Sequence, residues 1–308
     1  MHIPSHFMRW RGVRSGKTLT IMGGVHGNEL LGIKVVEWFK KKMAANKCDF
    51  AGQLICGVGN PAAAETGTRA THPEFDLNRC FNVTRRANVS HSYEERRAEE
   101  LAPLLSATDI LIDLHSTNKP SSPFLRLAGH VCEEHMRLAS HLSLGAATIL
   151  LDPDYTIGGG KVATTDEFVG FSGGIGICYE TGHADDLSAL PNVKREIASL
   201  LASELCLDMH RDLDDDVPPC NSDAADKQQE FFKLTEAIMY EDGFEWALGR
   251  GCRNFERVPA HRFIATMTSP SSFSRRIVRD FDAYLIFPKP AHLCIVGKPV
   301  VWLAKKSG

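Results

Sequence analysis

His26 and Glu29 stand three residues apart in the glycine-rich stretch GGVHGNE, residues 23–29. Imidazole nitrogens and carboxylate oxygens are zinc ligands, and a catalytic zinc commonly takes three protein ligands and keeps a fourth position for water. His115, at the end of the apolar run DILIDLHS (109–116), is a candidate for the third ligand. An H-x-x-E pair alone is more often a solvated pair or a helix cap, but a second histidine after a second strand favours a metal site.

Asp113 precedes His115 by two residues, and side chains two apart on a strand point to the same face. Metal-binding histidines usually donate their other ring N–H to a carboxylate or carbonyl. Asp113 is therefore expected to accept a hydrogen bond from the ring N–H of His115 that does not face the metal.

Hydrophobic periodicity indicates the elements that position these residues. Strands are predicted at 17–22, 53–60, 109–116, 146–152 and 173–182, and helices at 30–44 and 92–105. Strands alternating with helices over the first 205 residues predict a mostly parallel, doubly wound α/β sheet. Ligands in such sheets bind at the carboxyl ends of the strands. The polar residues at 26–29 follow a predicted strand, and those at 115 and 180 stand at the ends of two others, so we expect them to meet there.

The composition changes after residue 206, which indicates a domain boundary. The segment 207–230 is acidic, contains prolines and is weakly hydrophobic, as linkers and surface excursions are. Short apolar pieces separated by turn residues follow it. The sequence therefore predicts a catalytic α/β domain over 1–206, an acidic linker over 207–230 and a β-rich C-terminal domain over 231–308.

The overall composition excludes several classes of function. The net charge is -3 and the isoelectric point about 6.5, without the basic excess of nucleic-acid-binding proteins. No apolar run approaches the roughly 18–20 residues needed to cross a bilayer. The nine cysteines are scattered without a C-x-x-C pair, which is typical of reduced, mostly buried thiols. A cytoplasmic protein without nucleic-acid or membrane partners is expected.

A set of motifs in this order resembles the succinylglutamate desuccinylase/aspartoacylase family. The set is GGVHGNE, Arg69, FDLNRCF (75–81), YEERRAEEL (93–101), DLHST (113–117) and CYETG (178–182). It spans about residues 25–182 and is highly specific, whereas the likeness of AYLIFPKP (283–290) to the desuccinylase branch is weaker. The resemblance implies a zinc-carboxypeptidase-like α/β fold with a doubly wound mixed sheet and a smaller β-rich C-terminal domain.

The resemblance also implies a cofactor and catalytic residues. One Zn²⁺ per chain would be held by His26, Glu29 and His115. Glu180 would activate the attacking water and then pass the proton to the leaving amine, which is the work of a general base and acid. Arg69 would polarise the scissile carbonyl and stabilise the oxyanion.

Substrate binding would fall to the DLNR motif. The resemblance implies that Asn78 and Arg79 bind a substrate carboxylate, because a guanidinium fork matches a carboxylate in a bidentate way. Asp76 would orient these neighbours. Without the other motifs, D-L-N-R would be more simply a loop with a salt bridge.

One departure from the family limits the choice of substrate. Aspartoacylases have an ATTR stretch whose arginine binds the side-chain carboxylate of aspartate, whereas this chain has VATTDEF (162–168) with Asp166 in that place. Two tyrosines of aspartoacylases correspond to Val162 and Leu293. Asp166 would repel an aspartate side chain and suit a neutral or cationic one. N-acetylaspartate is therefore not expected to be the substrate.

Together these features predict a zinc-dependent amidohydrolase that releases a free amino acid and a carboxylate from a small N-acyl amino acid. A succinylglutamate desuccinylase-type or carboxypeptidase-like hydrolase is the alternative among enzymes, although a C-terminal domain that narrows the site argues against long peptides. A non-catalytic zinc-binding interaction protein is the alternative from another class. Glu180 and Arg69 argue against it, since metal binding alone needs neither. The sequence leaves open whether the chain forms a homo-oligomer.

Overall fold

A computed structural model describes residues 2–45, 49–81, 92–142, 147–159, 163–209, 213, 229–251, 253–271 and 274–307. The strands are β1 (Phe7–Arg11), β2 (Arg14–Gly23), β3 (Ala51–Val58), β4 (Ile110–Thr117), β5 (Phe124–Ala128), β6 (Thr148–Asp152), β7 (Ile175–His183), β8 (Glu230–Met239), β9 (Glu245–Leu248), β10 (Glu256–Val258), β11 (Phe263–Thr268), β12 (Ser274–Val278), β13 (Ala283–Ile286) and β14 (Pro299–Ser307). The helices are α1 (Leu30–Ala45), α2 (Pro61–Thr66), α3 (Tyr93–Leu105), α4 (Glu133–His141), α5 (Thr165–Phe171) and α6 (Leu190–Leu205).

Most strands belong to one large mixed sheet. This 11-stranded sheet has the order β1-β3-β2-β4-β7-β5-β6-β8-β14-β13-β10, and a separate 3-stranded antiparallel sheet has the order β12-β11-β9. Strands β3, β2, β4 and β7 run parallel, so their carboxyl ends lie at the same end of the sheet. β5 is antiparallel to β7 and begins a second parallel group with β6 and β8.

Side chains on the central strands alternate between two cores, one on each face of the sheet. On β4, Ile110, Ile112 and Leu114 belong to the core that contains α1, α4 and α6, whereas Leu111 belongs to the core that contains α3 and α5. Because successive side chains on a strand point to opposite faces, His115 lies on the Leu111 side. Helices thus cover both faces of the sheet, and the predicted doubly wound α/β fold is confirmed.

The β-rich C-terminal region continues the same sheet. β8 pairs in parallel with β6, and β14, β13 and β10 follow it in the large sheet. The small sheet packs in a separate core that contains Trp246, Ile264 and Met267. Much of the predicted linker, residues 210–212 and 214–228, lies outside the described residues. Leu207 and Met209, at its start, are buried in the α6 core. The division at 206 and 231 stays a proposal.

Two predictions from composition can be compared with the structure. Within the described ranges, no helix is both long and apolar enough to span a bilayer. All six described cysteines are free thiols, as expected for a reduced set. Burial was predicted less well, because only Cys56 and Cys178 are buried and Cys132 and Cys206 are exposed.

Candidate active site

The loop between β2 and α1 carries His26 and Glu29, and two of its glycines are required by geometry. Gly24 has a φ of 67°, in the left-handed region that favours glycine. At Gly27 an added Cβ would lie 2.0 Å from the carbonyl carbon of Ala63, because α2 packs directly against the loop. These glycines let the chain turn tightly with both His26 and Glu29 buried.

His26, Glu29 and His115 form a buried group whose ligand-type atoms all lie within 4.8 Å of one another. Nδ1 of His26 is 2.7 Å from Oε1 of Glu29, and Nδ1 of His115 is 3.0 Å from Oε2 of the same carboxylate. The ring centroids of the two histidines are 5.0 Å apart. The structure therefore brings together the three residues predicted as metal ligands.

A further carboxylate contacts the opposite nitrogen of each histidine. Nε2 of His26 is 3.0 Å from Oδ1 of Asp76, and Nε2 of His115 is 3.0 Å from Oδ2 of Asp113, which also accepts a hydrogen bond from the Thr165 hydroxyl. A carboxylate at Nε2 keeps the ring proton there and leaves the Nδ1 lone pair for a metal. Two imidazole nitrogens and one carboxylate, so oriented, fit the ligand preferences of Zn²⁺.

The surrounding charges also favour a cation. Burial lowers the pKa of His115, but the Asp113 and Glu29 carboxylates outweigh burial and hold that pKa well above its usual value. Burial opposes ionisation of Asp76, yet the adjacent His26 helps to hold the pKa of Asp76 well below its usual range. Three carboxylates around two imidazoles leave the site with negative charge that a divalent cation would neutralise.

Glu180 lies on β7 directly opposite His115 in the strand register. It is buried, and its Oε2 has no hydrogen-bond partner among the described residues. Burial is the main reason that the pKa of the Glu180 carboxyl rises to about 7; His115 opposes the rise and Glu29 adds to it. A carboxyl that titrates near neutral pH suits a general base.

Arg69 lies at the open side of the group. One guanidinium nitrogen donates to Oδ2 of Asp76 at 3.0 Å, and the other is 3.7 Å from Oε1 of Glu29. The side chain is 44% exposed, so it borders both the buried ligands and the solvent. This position agrees with the predicted contact to a substrate carbonyl, which stays a prediction.

Glu94, in the YEERRAEEL motif, fixes the loop that carries Arg69. Its Oε1 accepts hydrogen bonds from the backbone N of Thr71 at 2.7 Å and from the Thr71 hydroxyl at 2.9 Å. The amide of Asn60, which caps α2, donates to the same oxygen at 3.3 Å. The fully buried Glu94 thus ties α3, α2 and the Arg69 loop together.

Asn78 and Arg79 lie in a short 3-10 turn beside His115. Oδ1 of Asn78 accepts from the backbone N of Thr165 at 2.9 Å, and its Nδ2 lies 3.4 Å from Nε2 of His115. Arg79 donates to the backbone O of Asn78 at 2.7 Å. Their predicted contact with a substrate carboxylate stays a prediction.

Asp166 is buried on α5 and has a partner that the sequence did not indicate. Its Oδ2 accepts from Arg126 on β5 at 2.8 Å, and Arg126 also binds Asp152 at 2.7 Å and Glu167. Burial raises the pKa of Asp166, and Arg126 opposes that rise. Arg126 is shared with Asp152 and Glu167, so one cation faces three carboxylates, and the expected repulsion of an aspartate side chain stays a prediction. A direct substrate contact by Asp166 stays a prediction.

Several supporting residues were not predicted in their roles. Asp76 was expected to orient its neighbours in the sequence and in fact also contacts His26. Thr165 and Arg126 gave no signal, because their partners are distant in the sequence.

His183 lies outside the group of ligands, with Nδ1 4.0 Å from Asp185. Leu293 is exposed, and Val162 lies outside the described residues.

Comparisons with known sequences agree with these motifs. A family model described as the succinylglutamate desuccinylase/aspartoacylase catalytic domain matches residues 15–211. A succinylglutamate desuccinylase from Ectopseudomonas mendocina is 25% identical over 293 residues, which cover 90% of this chain and 80% of that protein. A probable aspartoacylase from Nostoc sp. is 41% identical over 106 residues, 32% of this chain and 35% of that protein, so this match spans about a third of the relative.

Solved structures show the same fold. A succinylglutamate desuccinylase from Vibrio parahaemolyticus has a TM-score of 0.72 at 15% identity and covers 98% of this chain and 86% of its own. The corresponding enzyme from Chromobacterium violaceum has a TM-score of 0.69 at 18% identity and covers 99% of this chain and 95% of its own. With a family model that matches more than half of its length, the chain belongs to the succinylglutamate desuccinylase/aspartoacylase family.

Proposed function

We propose that the chain is a zinc-dependent deacylase that hydrolyses the amide bond of an N-acyl amino acid. The observation that carries this proposal is the orientation of His26 and His115. Both direct Nδ1 toward Glu29, while Asp76 and Asp113 contact their Nε2 atoms. Glu180, whose Oε2 has no hydrogen-bond partner among the described residues, lies opposite His115 in the strand register. The names of the relatives, succinylglutamate desuccinylase and aspartoacylase, support removal of an acyl group from an amino acid.

The three ligands account for the cofactor. His26, Glu29 and His115 would hold one Zn²⁺ per chain, which would supply a Lewis acid for the carbonyl and for water. Asp76 and Asp113 keep the two imidazoles in the tautomer that binds metal.

The remaining residues carry the proton and the substrate. Glu180 accepts the proton of the attacking water and returns it to the nitrogen, so that the C–N bond breaks with a neutral amine as the leaving group. Arg69 donates to the carbonyl oxygen as negative charge develops there. Arg79 binds the α-carboxylate in a bidentate way, and Nδ2 of Asn78 donates to the same group.

The test compares metal content and turnover in matched variants. Purified wild type, Glu180→Gln and Asp185→Asn are assayed for zinc and for amino acid released from N-acetyl and N-succinyl amino acids, including N-acetylaspartate. Asp185→Asn makes the same carboxylate-to-amide change at a side chain that is 94% exposed. We expect Glu180→Gln to keep its zinc and to lose on the order of 10²–10⁴-fold in kcat, and Asp185→Asn to retain wild-type activity.

Three results would contradict the proposal. Cleavage of peptides with a free C-terminus, in place of the acylated amino acids, would establish the carboxypeptidase-like alternative. One zinc per chain without turnover of any substrate would support the non-catalytic alternative. Purification without zinc, and no binding of added zinc, would overturn the ligand assignment itself.

A further inference from the structure

Thr165 is the first residue of α5 and is fully buried. Its hydroxyl donates to Oδ2 of Asp113, the same oxygen that lies 3.0 Å from Nε2 of His115. Its backbone N donates to Oδ1 of Asn78 at 2.9 Å. One residue outside the group of ligands thus contacts both the carboxylate behind a proposed metal ligand and the amide of a proposed substrate-binding residue.

The hydroxyl of Thr165 has one proton to donate, and its surroundings decide where that proton goes. Oγ1 lies 3.3 Å from Oδ1 of Asn78, but that oxygen already accepts from the backbone N of Thr165. The Asp113 carboxylate is the stronger acceptor, because hydrogen bonds to ionised groups are shorter and stronger than neutral ones. The hydroxyl therefore serves Asp113, and the backbone N serves Asn78.

Asp113 has few partners that could hold its carboxylate in place. It is completely buried, and its Oδ1 has no hydrogen-bond partner among the described residues. Its Oδ2 contacts both His115 and Thr165. A buried charge is costly unless it is paired and hydrogen-bonded. Among the contacts that the described residues make, removal of the Thr165 hydroxyl would leave this carboxylate with His115 alone.

The backbone at Thr165 is itself fixed from two sides. Oδ2 of the next residue, Asp166, accepts from Arg126 on β5 at 2.8 Å. An added Cβ at Gly176 on β7 would lie 2.2 Å from the backbone O of Asp166, so the start of α5 packs directly against that strand. Branching at Cβ also restricts χ1 of a threonine. The hydroxyl therefore meets Asp113 from a rigid support.

We propose that Thr165 is a positioning residue that aligns the His115 imidazole for the metal through Asp113. Its backbone N holds Asn78 at the same time, so that one residue fixes a metal ligand and the substrate-binding turn relative to each other. The inference depends on the proposed deacylase function and adds to it a part for the VATTDEF segment that involves no contact with metal or substrate.

The test separates the hydroxyl of Thr165 from its backbone N. Wild type, Thr165→Val and Thr165→Ser are compared for the dissociation constant of zinc, by competition with a chromophoric chelator, and for KM at saturating zinc. We expect Thr165→Val to weaken zinc binding roughly 10-fold, the lower end of the cost of losing an outer partner of a metal ligand. KM should stay near the wild-type value, because the backbone N at 165 still donates to Asn78. Thr165→Ser keeps the hydroxyl and should restore the zinc affinity.

Thr20→Val is the matched control, because it removes a second fully buried hydroxyl. Thr20 lies on β2, with Oγ1 2.8 Å from the hydroxyl of Thr108. It pairs with Leu111, four residues before His115, and so stands away from the site. This variant should bind zinc as wild type does.

A double-mutant cycle shows whether Thr165 acts through Asp113. Asp113→Ala removes the carboxylate that the hydroxyl holds. Addition of Thr165→Val to Asp113→Ala should then weaken zinc binding no further, whereas the effects of independent sites would multiply. A full second loss of affinity in the double variant would overturn the inference.

The remaining outcomes separate the inference from the proposed function. An unchanged zinc dissociation constant in Thr165→Val, or an equal loss in Thr165→Ser or Thr20→Val, would overturn the inference. Zinc binding is measured without substrate, so absence of turnover on every N-acyl amino acid would overturn the proposed deacylase alone. A wild type that binds no zinc would overturn both. Thermal unfolding of each metal-free variant shows whether a change in affinity accompanies a loss of fold.

Discussion

Glu94 accepts hydrogen bonds from both the backbone N and the hydroxyl of Thr71, at 2.7 and 2.9 Å. Arg69 stands two residues before Thr71, so a carboxylate on α3 holds the loop from which Arg69 approaches Glu29. The Y-E-E-R-R motif thus acts on the site through the loop, without contact to the ligands.

Glu94→Gln should therefore impair catalysis although Glu94 lies outside the site. An amide cannot accept at one of the two positions that the carboxylate offers, and a displacement of about 1 Å of a catalytic group can cost about 10²-fold in rate. We expect kcat to fall by roughly 10–100-fold, with zinc content unchanged. The measurement is steady-state kinetics beside Glu99→Gln, an exposed position on the same helix. Equal activity of the two variants would show that the loop needs no such support.

Removal of a carboxylate behind either histidine should weaken metal binding. Asp113→Asn and Asp76→Asn each replace the acceptor at Nε2, and such changes typically cost 10–100-fold in metal affinity. Competition of the protein with a chromophoric chelator measures the dissociation constant for zinc. Asp154→Asn, an exposed carboxylate after β6, serves as the control. Unchanged affinity in both variants would mean that the imidazoles need no carboxylate to bind zinc.

The Glu180 carboxyl should destabilise the metal-free protein at high pH. Its pKa rises from 4.5 in a solvated carboxyl to about 7 in the folded protein, because burial disfavours the charged form. Between these values the folded state binds a proton that the unfolded state has released, so stability falls as pH rises through this window. The loss is on the order of 3 kcal/mol, at about 1.4 kcal/mol for each pKa unit.

Glu180→Gln removes that titration. In protein stripped of metal, the variant should unfold at a higher denaturant concentration than wild type at pH 8, and the difference should vanish near pH 4.5. Urea unfolding at a series of pH values provides the comparison, with Asp185→Asn following wild type throughout. A constant difference across the series would show that Glu180 is not the group that titrates.

Arg126 should be among the most sensitive positions for stability. Its loss leaves Asp152, Asp166 and Glu167 buried without their cation, and breaking a buried ion pair typically costs about 3–5 kcal/mol. Arg137→Met is the matched control, because the ion pair of Arg137 with Glu134 on α4 is partly exposed. Exposed ion pairs contribute about 0–1 kcal/mol to the free energy of unfolding.

The pH dependence of Arg126→Met follows from the same cluster. Burial already raises the pKa of Asp166, and removal of the opposing Arg126 would raise it further. The penalty should be largest at high pH and shrink as pH falls and the carboxyl groups take up protons. Denaturant unfolding at pH 8 and pH 5 measures it. A penalty that grew on acidification would contradict this account.

The grouping of the three proposed metal ligands could be predicted because their signals are local. GGVHGNE begins at the end of β2 and DLHST forms the end of β4, and the parallel arrangement of these strands brings the two motifs together. Glu180 follows by the same reasoning, since β7 is the next parallel strand. The carboxyl ends of the parallel strands in a doubly wound sheet lie side by side. The hydrophobic pattern of each strand and the parallel strand order are therefore enough to predict that these residues meet.

The supporting contacts could not be predicted because they depend on long-range pairing. Arg126 meets Asp166 only because β5 inserts antiparallel beside β7, and nothing in the five residues of β5 indicates that direction. In the sequence Asp166 has no visible partner, because Arg126 lies 40 residues away.

The parallel pairing of β6 with β8 has a consequence for biosynthesis. β8 begins at Glu230, so the backbone groups on one side of β6 find their partners only after most of the chain has left the ribosome. Unpaired edges of this kind are sites of intermolecular association. A chain cut after residue 206 would lack β8 and expose this edge of β6, and it should aggregate. The last quarter of the sequence, which is synthesised last, therefore covers the exposed edge of β6 and completes the large sheet.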